Sequence, residues 1–441
     1  MSAAKNILVR NTLKLTTGSI LNYFIPVIIT PLLARLYSPS DYGEWGVFSG
    51  YVTILSVIIC GGYDPVIVRC QRKKDVLNVA SLCFLINLCF CLLLLIFISF
   101  AELLNWQYIQ SVSGKWFIPI YLFLTGIISI GQNYANRIEL YSVLAISQVL
   151  AGVVQALARL AFGFYDIYVN GLILGTVISL FISFLYLNYK IEIISQIKRY
   201  FSFNRMLHLM VRFKNFPLFD SPSTLLIYAS NNIPIIILAS YFSKETVGCY
   251  TMVIQLLLMP MAFVGSNMGR VYYKQISEKA NEIPLLSLKV FHISFLLGLV
   301  SILFFLLGGD YVLELFLGNK WTVAGDYALY LSIWALPTIA FAPLRPIYRT
   351  KNRQYLQMKI VLISFLIQTL LLWIMVNCTD RIDLIICSYS ICCAVFRVID
   401  GWFIFKLCNL KMIQISAWKH LALLAIILFW CFRVLSIIYN N

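Results

Sequence analysis

The sequence predicts an all-α, polytopic membrane protein: two six-helix lobes related by a pseudo-two-fold axis along the membrane normal, V-shaped, with a central cavity. Three observations predict it. Of 441 residues, 61% are hydrophobic and only 12% charged, with a mean hydropathy of +0.86, whereas a soluble domain carries about 25% charged residues. The apolar residues run in blocks of about 20, the length that crosses a bilayer. The chain also matches itself weakly at an offset of 205 residues. The composition excludes a disordered chain, a coiled coil and a compact soluble enzyme.

Apolar windows bounded by charge define the elements in order. Six spans occupy 17–37, 45–66, 78–100, 116–135, 141–164 and 168–189. The first is a retained span rather than a removed signal peptide, since no small-residue cleavage site follows it. A basic stretch of mixed polarity, 190–215, is long enough only for an interfacial helix or a linker. Six more spans run 217–241, 246–268, 288–308, 326–347, 356–377 and 383–406. The domain organisation is therefore an N-lobe over 1–190, a connecting loop over 191–216, a C-lobe over 217–406 and a tail over 407–441. The apolar part of the tail, 420–438, contains Arg433 and is either a thirteenth span or a segment packed on the bundle.

The net charge of +16 marks basic cytoplasmic loops in a chain this apolar, not a nucleic-acid partner. With the N-terminus in the cytoplasm, 26 Lys and Arg fall on inner loops and 5 on outer loops, which orients the chain. Cysteines such as Cys60, Cys83, Cys89, Cys91, Cys387, Cys392 and Cys393 sit in apolar runs without zinc-ligand spacing, so they read as small hydrophobes. Trp45, Trp116, Trp321 and Trp373 fall near outer span ends, as an interfacial belt does. The longest outer loops, about 101–115 and 309–325, are too short for a folded catalytic domain.

The self-match pairs Leu33-Ala34 with Leu238-Ala239, Ser38 with Ser243, Gly43 with Gly248 and Lys115-Trp116 with Lys320-Trp321. Six spans per repeat return the chain to the same side, so both halves insert with the same polarity. Parallel repeats with a site at their interface characterise alternating-access carriers.

Several stretches resemble the oligosaccharide (O-antigen) flippases of the polysaccharide-transporter branch of the multidrug/oligosaccharidyl-lipid/polysaccharide exporter superfamily. One is Pro31-Leu32-Leu33-Ala34-Arg35-Leu36-Tyr37-Ser38-Pro39-Ser40-Asp41-Tyr42-Gly43, similar to the family's first-span ending. A second is Glu314-Leu315-Phe316-Leu317-Gly318-Asn319-Lys320-Trp321-Thr322-Val323-Ala324-Gly325, where Leu317 interrupts the usual Phe-Gly pair. A third is Val247-Gly248-Cys249-Tyr250. The resemblance runs over roughly 10–406 and implies transfer of an undecaprenyl-diphosphate-linked oligosaccharide. The direction is from the cytoplasmic to the outer leaflet of the bacterial inner membrane. Partners would be the lipid-linked oligosaccharide, membrane lipids, and a polymerase and chain-length regulator of the same pathway. No cofactor is expected, and the driving force would be an ion gradient or the membrane potential.

Such a substrate carries an anionic diphosphate, and the fork of donors on Arg suits it. Charge within or beside spans is the scarce signal. Arg159, Arg397, Arg35 and Arg345 are the candidate substrate-binding residues. Asp64, Asp220 and Asp400 are candidate coupling-ion sites or members of structural pairs, with Arg397 and Asp400 three residues apart on one helix face. No catalytic residue and no metal site is expected, and no Walker A, HExxH or GxSxG motif occurs. Two other readings compete: a multidrug exporter of the same superfamily, and a membrane O-antigen polymerase or glycosyltransferase. The scattered basic residues disfavour the first. The short outer loops and the repeat disfavour the second.

Overall fold

The structure, a computed structural model, describes residues 25–26, 28–110, 112–165, 170–214, 216–278, 280–410 and 417–440. The first part of the first predicted span, 17–24, and residue 27 lie outside the described residues, and the rest, through residue 36, is helical. Those that are described are almost wholly helical, with no β-strand among them. Nine helices among the described residues are long and apolar enough to cross a membrane. The chain divides into two compact units, Met1–Ile236 and Ile237–Asn441.

In the first unit, α1 (Pro39–Leu55) begins at a capping box. The Ser38 hydroxyl accepts from the Asp41 amide at 3.3 Å, and the Asp41 carboxylate accepts from the Ser38 amide at 2.8 Å. Both orphan donors are thereby satisfied. The second predicted span, 45–66, is not one helix. α1 stops at Leu55, turns carry the chain past Gly61 and Gly62, both at positive φ, and a short helix, Val66–Arg69, follows. Then come α2 (Lys73–Leu103), α3 (Phe117–Arg137), α4 (Tyr141–Phe164) and α5 (Gly171–Ile191).

Within lipid, helices gain little from apolar burial against one another, so small residues that allow close approach decide the packing. α5 buries Gly171, Gly175, Ser179 and Ser183 at four-residue spacing, which is one helix face. An added Cβ on Gly175 would lie 2.7 Å from Cγ of Arg159 on α4.

The basic stretch 190–215 holds two short helices, α6 (Ile193–Tyr200) and α7 (Phe203–Arg212). They tuck Ile193, Met206 and Leu209 inward and leave basic residues out. Asn78 of α2 ties the junction, donating to the Tyr200 carbonyl at 3.1 Å and accepting from the Ser202 amide at 2.8 Å. Arg205 donates to Asp75, and this bond raises the guanidinium pKa above its ordinary value.

α8 (Ser221–Tyr241) follows a π-helical turn and runs from the first unit into the second. The second unit contains α9 (Lys244–Glu278), α10 (Ile283–Phe304), α11 (Asp310–Leu317), α12 (Thr322–Phe341), α13 (Gln354–Cys378), α14 (Ile382–Leu407) and α15 (Ala417–Asn440). α12 is apolar and buried on nearly all sides, the pattern of a core helix. Trp321, expected in the outer belt, is fully buried at its start. The tail, open between a span and a packed segment, forms α15. Its Trp430 Nε1 donates to the Leu329 carbonyl of α12 at 2.9 Å.

The 205-residue offset reappears in the helix starts. Pro39 and Lys244 open α1 and α9, and Phe117 and Thr322 open α3 and α12. The Ser243 hydroxyl accepts from the Thr246 amide at 3.3 Å, repeating the Ser38 cap.

Candidate functional site

In the second unit, α9 carries Gly265 and Gly269 one turn apart, and the chain leaving α12 passes beside them. A Cβ on Gly265 would lie 3.2 Å from that of Ala342, and one on Gly269 would lie 3.6 Å from the Pro343 carbonyl oxygen. The glycines thus admit the 3-10 turn Ala342–Leu344 and the short helix Ile347–Thr350. Between these segments lies a cavity of about 360 Å³, within the range of small-molecule sites. Its lining includes Arg270, Arg345 and Arg349, with Tyr273 and Gln357, and no carboxylate among the described residues.

One guanidinium is fixed from behind. Arg345 donates from Nε at 3.1 Å and from Nη2 at 3.0 Å, both to Oδ2 of Asp400 on α14. The Tyr348 hydroxyl donates to Oδ1 at 2.8 Å. Asp400 is 3% exposed and the Arg345 side chain 24%. The carboxylate is therefore a buried anchor, and the arginine reaches the cavity edge. Arg270 and Arg349 are exposed. Three positive groups converging without a lining carboxylate suit a multiply charged anion, and Gln357 and Tyr273 add neutral hydrogen-bonding capacity.

The pair suggested by sequence spacing, Arg397 with Asp400, is corrected. Asp400 turns toward Arg345 and Tyr348, whose three bonds engage both of its oxygens. Arg397 lies partly buried one turn earlier on α14, where its charge interacts with those of Asp400 and Arg345. So the structure brings together Arg345 and Asp400, with Arg397 next to them.

The other candidates lie in the first unit. Arg159 is 6% exposed. It donates to the Leu172 carbonyl at 3.2 Å and to the Thr176 hydroxyl at 2.8 Å, and its guanidinium lies 4.4 Å from the Trp45 ring centroid. Trp45, expected in the interfacial belt, thus covers a buried cation. Asp64 follows the turn after α1 and accepts from Ser129 at 2.8 Å and Asn133 at 3.5 Å. Arg35 is exposed near the end of the helical residues 28–36. Asp220 ends the turn Phe216–Asp220, and its side chain lies outside the described part.

Sequence reasoning missed Arg270, Arg349, Tyr348 and Gln357. The two arginines counted only as loop charge. The usable signals were the Arg345/Arg349 spacing of one helical turn and the Gly265/Gly269 spacing on the preceding span.

Comparison with known proteins agrees with this fold. Among solved structures, the lipid II flippase MurJ in an inward closed conformation is similar over 97% of this chain and 98% of its own, at 12% identity and TM-score 0.65. An inward-facing multidrug-resistance MATE family transporter of the MOP superfamily is similar over 89% and 94%, at 15% identity and TM-score 0.62. A MOP superfamily transporter from Pyrococcus furiosus is similar over 91% and 95%, at 14% identity and TM-score 0.60. Among the curated proteins the sequence has no match. Residues 32–326 match the family described as polysaccharide biosynthesis protein. The chain is a multi-pass membrane protein with the fold of the MOP superfamily transporters, and it belongs to the polysaccharide biosynthesis protein family.

Proposed function

We propose that the protein is a flippase. It carries an undecaprenyl-diphosphate-linked oligosaccharide, an O-antigen or similar surface-polysaccharide repeat unit, from the cytoplasmic to the outer leaflet of the bacterial inner membrane. The observation that carries this reading is the cavity in which Arg270, Arg345 and Arg349 meet without a lining carboxylate. A diphosphate needs several fixed donors to leave water, because an unpaired polar group costs several kcal/mol in hydrocarbon. The Asp400–Tyr348 anchor holds one guanidinium in place before the substrate arrives, which lowers the ordering cost of binding. Positive-inside counting assigns Arg270, Arg345 and Arg349 to the cytoplasmic side, where the substrate is loaded.

Two similarities support the reading: the family match, and the fold shared with a protein described as a lipid II flippase. We assign Arg397 as a further contact for the substrate's anionic group, since it stands one turn from Asp400, whose hydrogen bonds go to Arg345 and Tyr348. Arg35, exposed, is a candidate headgroup contact at the opposite face. Arg159 and Asp64 position helices in the first unit. The lobes are residues 1–190 and 217–406, moving by alternating access and driven by an ion gradient or the membrane potential. A multidrug exporter of cations is disfavoured by the absence of carboxylate from the cavity lining.

The test is deletion in the native strain with analysis of lipid-linked intermediates by leaflet. Repeat units accumulating on the cytoplasmic leaflet support export. Single units accumulating on the outer leaflet would assign the protein to polymerisation instead.

A further inference from the structure

A second basic cavity lies between the N-terminal end of α13 and the C-terminal end of α14. It measures about 530 Å³ and is lined by Asn352, Arg353, Tyr355, Leu356, Lys359, Phe403, Lys406 and Leu407. Three cations line it, with no acidic residue among the described residues. The Lys359 ammonium lies 4.6 Å from the Tyr355 ring centroid, and Lys406 lies 5.6 Å from that of Trp402.

Two apolar stripes run into it. On α13, Ile363, Leu366, Ile367 and Leu370 are exposed, and they continue the helix face of Tyr355 and Lys359. On α14, Val395, Val398, Ile399 and Trp402 are exposed, one turn before Lys406. Tyr355 is 67% exposed and Trp402 49%, placing amphipathic rings at the level where lipid headgroups sit.

We propose that this cavity is a binding site for an anionic phospholipid of the cytoplasmic leaflet. Its phosphate would be held by Arg353, Lys359 and Lys406, and its acyl chains would lie along the two apolar stripes. Basic pockets between spans on the cytoplasmic side bind acidic headgroups. A soluble phosphate would use the same cations, yet it would have no use for the apolar floor of Leu356, Phe403 and Leu407 or for the stripes beyond. This site is separate from the arginine cavity assigned to substrate, and it does not depend on that assignment.

The experiment is native mass spectrometry of the purified full-length protein titrated with cardiolipin, phosphatidylglycerol or phosphatidylethanolamine. The wild type should prefer the two anionic lipids. The triple variant Arg353→Gln/Lys359→Gln/Lys406→Gln should bind them about a hundredfold more weakly, on the order of fivefold per cation. Phosphatidylethanolamine binding should be unchanged. If the triple variant does not purify as a monodisperse species, the three single variants are read instead, each with its own fivefold loss. Control substitutions Lys73→Gln/Lys74→Gln in the first unit should leave binding within twofold. An equal loss in the control, no loss in the cavity variants, or displacement of the lipid by submillimolar inorganic phosphate would each overturn the proposal. The last result would assign the cavity to a soluble anion.

Discussion

Arg345→Met separates the structural and functional parts of the candidate site. It removes both guanidinium donors from Asp400 Oδ2 and leaves a carboxylate that is 3% exposed, with the Tyr348 hydroxyl still on Oδ1. Breaking a buried ion pair from one side costs about 3–5 kcal/mol. The Arg345 side chain is 24% exposed, so the low end applies, about 3 kcal/mol. Asp400→Leu costs less, about 1–2 kcal/mol, because the freed arginine can turn into the hydrated cavity. The double variant replaces a desolvated pair with apolar groups and should lie within about 1 kcal/mol of wild type. The cycle then yields a coupling of about 4 kcal/mol. Unfolding in mixed micelles by SDS titration, followed by tryptophan fluorescence, measures all four corners. Export should be lost in the double variant despite restored stability, since the cation is gone. A double variant as unstable as Arg345→Met would refute the pairing, and one with normal export would remove Arg345 from substrate handling.

Gly175→Ala brings a methyl to 2.7 Å from the Arg159 Cγ and should destabilise the first unit by about 1–3 kcal/mol, read as a lower thermal midpoint in detergent. Gly175→Ser should be no better, whereas Gly318→Ala, with nothing within 4 Å but φ of +99° and ψ of 166°, should cost backbone strain alone, about 1–3 kcal/mol. Ser38→Ala and Ser243→Ala should each cost about 1 kcal/mol, with the Ser38 loss the larger because its capping box is reciprocal. Single-cysteine labelling of a cysteine-free background should reach position 73 only from the cytoplasmic side and position 319 only from the outer side. Labelling of both from one side would reject the orientation that charge counting predicts.

Composition and apolar block length were enough to read the helical membrane class, because lipid permits few other solutions. The repeat was legible for a local reason. Ser38 and Ser243 cap helices, and a cap depends on the few residues beside it. The interruption after Leu55 was not legible, since the apolar run continues through Ile59 while Gly61 and Gly62 turn the backbone. The site was half legible. Arg345 and Asp400 stood out as charges beside spans, but their partnership spans 55 residues, and the local spacing favoured Arg397. Trp321 misled in the same way. Belt position is a statistical expectation, whereas its burial comes from the core around α12.

The central claim is that the arginine cavity binds a diphosphate during transfer between leaflets. The most direct measurement is a leaflet-resolved assay in proteoliposomes loaded with an undecaprenyl-diphosphate-linked oligosaccharide. It compares the wild type with Arg270→Gln/Arg349→Gln, two exposed residues whose loss leaves the Asp400 anchor intact. Charge-assisted bonds to an anion contribute about 1.5–3 kcal/mol each, so the double variant should transfer at least about a hundredfold more slowly at subsaturating substrate. Arg270→Lys/Arg349→Lys should recover part of the rate, because charge is kept and the fork is lost. Wild-type transfer by the Gln variant, at equal protein level and orientation, would contradict the assignment of this cavity to the substrate.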